Sequence, residues 1–111
     1  MKQMIWKMFV LIYMLYGSYA TAQVLFVTSP YEPYVIKQDL EASGIFPDIV
    51  KAVFDEIKIE VKFEFQPWKR GEHTVVTGKA FATFPYLIRQ QRTEKFDFSD
   101  PVIYFFPKFF I

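Results

Sequence analysis

The sequence has 111 residues, no cysteine, and a formal net charge of +1 that results from 13 Lys and Arg against 12 Asp and Glu. Without cysteine, the chain has no disulfide bond, no thiolate nucleophile, no cysteine-based zinc site and no lipid-modified cysteine. The small net charge excludes a basic field that would attract nucleic acid or anionic lipid, so we expect no nucleic-acid partner.

The first 22 residues have the three parts of a secretory signal peptide. Lys2 and Lys7 give a positive start, residues 8–16 form a short apolar run, and Ala20-Thr21-Ala22 is a small-x-small exit. We expect cleavage there and a periplasmic mature chain, residues 23–111, which keeps 89 of the 111 residues and suffices for one small domain. A retained membrane anchor is the alternative, although the apolar run is short for a bilayer core.

Four segments of the mature chain have the patterns of strands. Residues 24–28 and 80–84 are apolar runs of the kind that is buried on both faces of a sheet. Residues 59–65 alternate between apolar and polar side chains, as in a strand with one buried and one solvent-exposed face. Residues 102–106 are apolar and aromatic and predict a further strand. The pattern predicts an α/β fold with three or four mostly parallel strands flanked by helices.

Two helices are predicted between these strands. The first has Pro47 in its first turn, Asp48 as a cap, and an apolar stripe at spacings of three and four. The members of the stripe are Phe46, Ile49, Val50, Val53, Phe54 and Ile57. The second helix runs from about residue 70 to 77 and ends at Gly78, which suits a left-handed cap. Residues 37–43 are polar and indicate a loop or hairpin tip.

Aromatic side chains follow three of the predicted strands. Tyr31 and Tyr34 lie in a proline-containing loop after the first strand, Trp68 follows the alternating strand, and Tyr86 follows the third strand. Open α/β sheets bind ligands beyond the carboxyl ends of their strands. These positions, together with the neighbouring Arg70, are therefore candidate ligand contacts. The alternatives are ordinary loop packing for the tyrosines, core packing for Trp68 and a solvated Arg70.

Residues 92–101 combine an arginine, an alternating aromatic segment and a turn. Arg92 is expected on one helical turn at residues 90–95, and its planar fork of donors fits a carboxylate in a bidentate way. The two Phe that flank Asp97 can face a core while Asp97 faces water. A surface ion pair is the ordinary alternative for such an Arg.

The run R-x-x-K-F-D-F-S-D-P at residues 92–101 resembles a segment of the bacterial extracellular solute-binding proteins of family 3, the amino-acid type of periplasmic binding protein. Tyr-x-Pro-Tyr at 31–34 and Pro-Trp-x-Arg at 67–70 are similar to family loops and occur in the same order. The resemblance implies one lobe of a type II periplasmic-binding-protein fold. Residues 23–111 would be the first lobe only, with the second lobe missing and the chain truncated.

The resemblance also implies roles for individual residues. Arg92 would clamp a ligand carboxylate, Tyr31 and Trp68 would sandwich the rest of the ligand, and Tyr86 and Arg70 would line the pocket. The implied function is periplasmic binding of a small carboxylate-bearing solute, a polar amino acid in particular. The implied partners are that small molecule and an ABC permease or a membrane sensor.

The chain departs from the family pattern at two positions. Phe81 stands where many members have Asp, and Arg89 stands where Thr is frequent. The contacts to a ligand's amino group are therefore left open, and a small carboxylate is favoured over a plain amino acid.

We expect no enzymatic activity, no metal and no cofactor. His73 is the only histidine and has no partner at metal-ligand spacing, and no phosphate loop or acid pair has a catalytic signature. Two alternatives stay open. One is a lobe of a fold-related enzyme, of the dehydratase or lytic transglycosylase type. The other is a truncated, non-functional fragment with an exposed Phe-rich tail.

Overall fold

The computed structural model describes residues 1–15 and 22–110. In this part the chain forms nine elements. In chain order they are α1 (Lys2–Leu15), β1 (Gln23–Thr28), β2 (Ile36–Gln38), β3 (Glu41–Ser43), α2 (Ile45–Glu56), β4 (Glu60–Phe65), α3 (Trp68–Val76), β5 (Ala82–Thr83) and α4 (Gln90–Thr93).

β1 is the centre of a three-stranded parallel sheet with the order β4-β1-β5. It pairs with β4 over all six of its residues. It pairs with β5 at only two of them, Phe26 and Val27. The α/β fold class with a mostly parallel sheet, predicted from the sequence, is confirmed.

The two faces of β1 pack against different helices. Phe26 is buried, and its ring contacts the ring of Phe54 in α2 with centroids 5.2 Å apart. Val27 is fully buried and points to the opposite face, because side chains alternate along a strand. There it meets α3 so closely that a Cβ added to Gly71 would lie 3.5 Å from Val27 Cγ2. Burial on both faces explains the continuous apolar run of β1.

The two outer strands differ from each other. β4 alternates between exposed and partly buried side chains over its six residues, as predicted. The strand predicted at residues 80–84 is wrong in extent, because only Ala82–Thr83 pair with a neighbour. Phe84 is followed by Pro85, which has no backbone N–H with which to continue a ladder. The Phe84 carbonyl instead accepts a hydrogen bond from Thr28 Oγ1 at 2.8 Å.

Only part of the apolar stripe predicted for α2 faces the core. Phe46 is buried, and Val50 and Phe54 pack against the same core cluster. Val53 and Ile57 are more than half exposed, so their predicted place in the stripe is wrong. The reason is helical geometry, because each residue is turned by about 100° from the one before it. Val53, one position before Phe54, therefore points to the flank of the buried row, and Ile57 lies just after the last residue of the helix.

The start of α2 also differs from the prediction. The helix begins at Ile45 after Gly44, and no side chain caps it. Asp48 was predicted to be a cap, and this is wrong: it is an exposed residue within the first turn. Its charge is nevertheless placed favourably for the helix dipole.

Three smaller predictions are confirmed. β2 and β3 form an antiparallel hairpin within the predicted polar segment. α3 covers the predicted second helix, and Gly78 after it has a φ of 75°, which is the left-handed region. α4 is the expected single turn that carries Arg92.

The strand predicted at residues 102–106 is wrong. Residues 94–110, all of which the structure describes, contain no strand. Strands need a hydrogen-bonded neighbour, and this segment uses its side chains instead. Ile103 packs against the core cluster, and Phe105 contacts Tyr34 edge-on with ring centroids 5.3 Å apart.

α1 carries the apolar part of the predicted leader. This helix contains Lys2 and Lys7, and its apolar side chains are largely exposed. Among the described residues, no helix combines the length and the apolarity needed to cross a bilayer. Most of the predicted exit Ala20-Thr21-Ala22 lies outside the described residues.

Candidate functional site

The carboxyl ends of the three parallel strands lie at one edge of the sheet, and hydrogen bonds tie together the loops that follow them. Ser29 Oγ donates to the Gln66 carbonyl at 2.6 Å, and the Gln66 N–H donates to the Thr28 carbonyl at 2.9 Å. Thr28 Oγ1 donates to the Phe84 carbonyl. Because Thr28 and Ser29 are buried, these bonds fix the loops relative to the strands.

Trp68 and Tyr86 form an aromatic corner beyond this edge. Trp68 is the first residue of α3, and Tyr86 lies in the loop after β5. Their rings meet edge to face with centroids 5.5 Å apart. The Tyr86 hydroxyl donates to the Trp68 carbonyl in a long hydrogen bond of 3.4 Å. The contact joins the start of one helix to a loop 18 residues later.

Arg92 contacts the same corner. Its guanidinium carbon is 4.9 Å from the centroid of the Tyr86 ring, which is a cation–π contact. Its Nη1 donates to the Leu87 carbonyl at 3.3 Å, and its Nε is 3.8 Å from Glu72 Oε1. The side chain is 31% exposed, so the guanidinium is oriented by the protein and is still reached by solvent.

Glu72 is the residue at this site that the sequence reasoning missed. Its side chain is 32% exposed and reaches Arg92 from α3. The available signal was helical spacing: Glu72 follows Trp68 by four residues, and such residues share one face of a helix. The prediction placed the start of the helix at Arg70, so Trp68 was not expected on the same face.

Burial raises the pKa of the Tyr86 phenol above its ordinary value of 10.0. The Thr83 side chain lowers this pKa, the negative charge of Glu72 raises it, and the positive charge of Arg92 lowers it. The net effect is an increase, so Tyr86 is an uncharged phenol at neutral pH. It can therefore donate a hydrogen bond and offer its ring to Arg92.

Two of the five predicted contact residues, Tyr31 and Arg70, are not part of this group of contacts. Tyr31 is 51% exposed and stacks on Tyr34, with ring centroids 5.5 Å apart. Tyr34 in turn packs against the core. Arg70 is exposed on α3, and among the described residues its side chain forms no ion pair. The structure thus brings Trp68, Tyr86 and Arg92 into mutual contact through Tyr86, and adds Glu72 to them.

The site offers a fixed cation, an anion, a phenol and an indole, which suit the recognition of a small polar molecule. In the part of the chain that the structure describes, no three His, Asp or Glu side chains come together as a metal site requires.

The comparison with protein families agrees with this reading. The sequence model of the bacterial extracellular solute-binding proteins, family 3, matches residues 24–111. A search among curated proteins gives no match. The family's description implies a small-molecule ligand, a binding protein and a location outside the cytoplasm. The match spans the sheet, both of its helical layers and the corner formed by Trp68, Tyr86 and Arg92. The chain therefore belongs to the bacterial extracellular solute-binding proteins of family 3.

Proposed function

We propose that this chain binds a small carboxylate-bearing solute, a polar amino acid in particular, in the periplasm, for uptake by an ABC permease or for a membrane sensor. Residues 1–22 act as the signal peptide, and residues 23–111 act as the first lobe of the solute-binding domain. The activity is binding rather than catalysis. Arg92 holds the carboxylate, and Trp68 and Tyr86 form the wall beside it.

The observation that supports this proposal is the position of Arg92. A guanidinium has five N–H donors, and one of its nitrogens already donates to the Leu87 carbonyl. The cation–π contact with the Tyr86 ring and the bond to the Leu87 carbonyl restrict the guanidinium before any ligand arrives. Such a preoriented fork binds a planar carboxylate through two parallel hydrogen bonds at a lower cost in side-chain entropy.

Tyr31 and Arg70 belong to the proposal in a different way. Both are exposed and follow β1 and β4 on the same edge of the sheet as Arg92. We assign them to the outer part of the pocket, where the ligand's side chain would lie. Their truncation should change the choice among amino acids more than the binding of the shared carboxylate.

The test is a titration of the full chain with polar L-amino acids: glutamine, glutamate, arginine and serine. The chain contains two tryptophans, so a Trp6→Phe background makes Trp68 fluorescence a reporter of the site. Arg92→Ala should weaken binding at least tenfold, because hydrogen bonds to charged groups contribute about 1.5–3 kcal/mol and a tenfold change corresponds to about 1.4 kcal/mol.

Lys79→Ala is the matched control, since Lys79 is exposed and precedes β5, whereas the candidate site follows that strand. It removes a single positive charge away from the site and should leave the affinity unchanged. Equal losses in both variants would show a general charge effect. No loss in Arg92→Ala would remove Arg92 from the carboxylate site.

The leader is tested separately by the mass of the mature protein in the periplasmic fraction. Cleavage after Ala22 gives a chain that begins with Gln23. A chain that retains α1 and stays with the membrane would instead support an anchor.

A further inference from the structure

β4 is the longer of the two edge strands of the sheet. In the order β4-β1-β5, it has β1 on one side and no strand of the described chain on the other. It extends over six residues, Glu60–Phe65, whereas β5 at the opposite edge has two. An uncovered edge strand presents unpaired N–H and C=O groups that can form a ladder with another chain.

Backbone hydrogen bonds identify which groups of β4 face the open edge. The N–H groups of Glu60 and Gln66 donate to carbonyls on the β1 side of the strand. Successive residues of a strand point their backbone groups to opposite edges, so the even-numbered residues face β1. The N–H and C=O groups of Val61, Phe63 and Phe65 therefore face outward.

The side chains of β4 divide between two faces of different chemistry. Val61, Phe63 and Phe65 pack against the core cluster on the side of α2. Lys62 and Glu64 are exposed on the other face, and neither forms an ion pair within residues 1–15 and 22–110. The strand thus combines an apolar row on one face with a basic and an acidic residue on the other.

A second β4 strand, placed antiparallel along this edge, matches it in one register. When the two copies of Phe63 lie opposite each other, Val61 lies opposite Phe65. Lys62 then lies opposite Glu64, and this pair occurs twice. All outward-facing residues meet outward-facing residues, as the hydrogen-bonded pairs of an antiparallel ladder require. A shift by two residues would instead oppose Lys62 to Lys62 or Glu64 to Glu64, and like charges directly opposite are destabilising.

The groove beside β4 accommodates a second copy. It has a volume of about 310 Å³ and lies between β4, α2 and the β2–β3 hairpin. Leu40, at the hairpin tip, lines this groove and is 86% exposed. Phe65 of the second copy would lie opposite Val61, which lines the same groove, and would cover apolar surface that solvent reaches in a single chain. Glu41 and Lys51 also line the groove and balance each other's charge.

We propose that two copies of this chain associate through their β4 strands, in the antiparallel register centred on Phe63, and form one continuous sheet with three strands from each copy. The interface is two-fold symmetric, so the same surface of each copy contacts the other. The carboxyl ends of the strands point in opposite directions in the two copies. Both candidate sites therefore stay open, and the inference does not depend on the proposed function.

The experiment is sedimentation equilibrium of the full chain over a range of protein concentrations, with charge reversals on β4. Lys62→Glu replaces both attractive pairs by pairs of acids and should raise the dissociation constant of the dimer by about tenfold or more. Glu64→Lys should do the same through pairs of bases. The double variant Lys62→Glu/Glu64→Lys restores opposite charges and should return the dissociation constant to that of the unaltered chain.

Lys79→Glu is the matched control, because it makes the same change of charge at an exposed position before β5. It should leave the dissociation constant unchanged. Circular dichroism verifies that every variant is folded.

The register is tested by disulfide formation, because the chain has no cysteine of its own. Opposite residues that do not share hydrogen bonds have Cα atoms about 4.5 Å apart, within reach of a disulfide bond. When Lys62→Cys and Glu64→Cys chains are mixed and oxidised in air, the mixed disulfide dimer should exceed the share expected from random pairing.

A chain that stays monomeric at every concentration overturns the proposal. So does a dimer that neither reversal on β4 weakens, since its interface would lie elsewhere, for example on the exposed apolar side chains of α1. If the double variant stays as weak as the single ones, or the mixed disulfide does not exceed random pairing, the two copies do not meet in this register.

Discussion

The two sides of β1 are built by different means. On one side, β4 pairs with all six residues of β1, and α2 and the β2–β3 hairpin pack nearby. On the other side, β5 pairs with only two residues, and a side-chain hydrogen bond from Thr28 to the Phe84 carbonyl holds the loop at the strand end. The long pairing of β1 with β4 stabilises the sheet, whereas the pairing of β1 with β5 ends after two residues. The chain therefore leaves the sheet soon after β5 begins, and it continues into the loop that carries Tyr86 and then into α4, which carries Arg92.

The largest effect is expected on the β4 side, at the junction of hairpin and helix. Gly44 has a φ of 105°, and a Cβ there would lie 2.8 Å from the Tyr34 carbonyl oxygen. Gly44→Ala combines backbone strain with overpacking and should lower the free energy of unfolding by about 3 kcal/mol. Urea denaturation measures this difference.

The control for Gly44 is Gly78→Ala. Gly78 also has a positive φ, of 75°, but a Cβ there meets nothing within 4 Å. The control should cost about 1 kcal/mol, from the left-handed conformation alone. Equal costs in the two variants would mean that the contact with Tyr34 does not restrict the hairpin.

A smaller effect is expected on the β5 side. Thr28→Val removes the hydroxyl that donates to the Phe84 carbonyl and leaves a buried acceptor without a partner. We expect a loss of about 1–3 kcal/mol in the free energy of unfolding. Thr77→Val removes a similar hydroxyl bond to the His73 carbonyl at an exposed position and should cost less. If Thr77→Val costs as much as Thr28→Val, the β5 side does not depend on this bond.

A third glycine tests how closely α3 approaches the sheet on the β5 side. In Gly71→Ala, the new Cβ would lie 3.5 Å from Val27 Cγ2 and 3.8 Å from Thr83 Oγ1, both ordinary contacts. The substitution should therefore stabilise the protein, by about 0.5–1 kcal/mol, because alanine is the better helix former. Thermal unfolding measures the gain. A loss would show that α3 lies closer to the sheet than these distances indicate.

Sequence reasoning succeeded where the signal is local. The alternation in β4, the apolar run of β1 and the capping role of Gly78 each follow from neighbouring residues. It failed where the outcome depends on distant partners. Residues 102–106 have strand-like composition, yet they form no ladder and pack through Ile103 and Phe105.

The candidate site divides in the same way. Trp68, Tyr86 and Arg92 could be named from the sequence because each follows a predicted strand or lies in a recognisable segment. Their mutual contacts could not, since they depend on how α3 and α4 approach Tyr86. Glu72 was within reach, because helical spacing alone places it near Trp68. Tyr31 was also predicted because it follows a strand, but its ring stacks on Tyr34 instead of joining Trp68, Tyr86 and Arg92.

The smallest effect concerns Tyr86 and is confined to alkaline pH. Its pKa in the folded protein is raised above 10.0, chiefly by burial, whereas unfolding returns the phenol to its ordinary value. The folded state therefore holds this proton more tightly. Its contribution to stability is fully present below about pH 10 and is lost as the pH rises through the folded pKa. Above pH 10, the free energy of unfolding should fall more steeply in the unaltered protein than in Tyr86→Phe. Tyr104→Phe, at an exposed side chain, should keep the original slope. If Tyr86→Phe also keeps that slope, the Tyr86 phenol is not buried in the folded protein, and the β5 side is looser at its end than the sheet beside it.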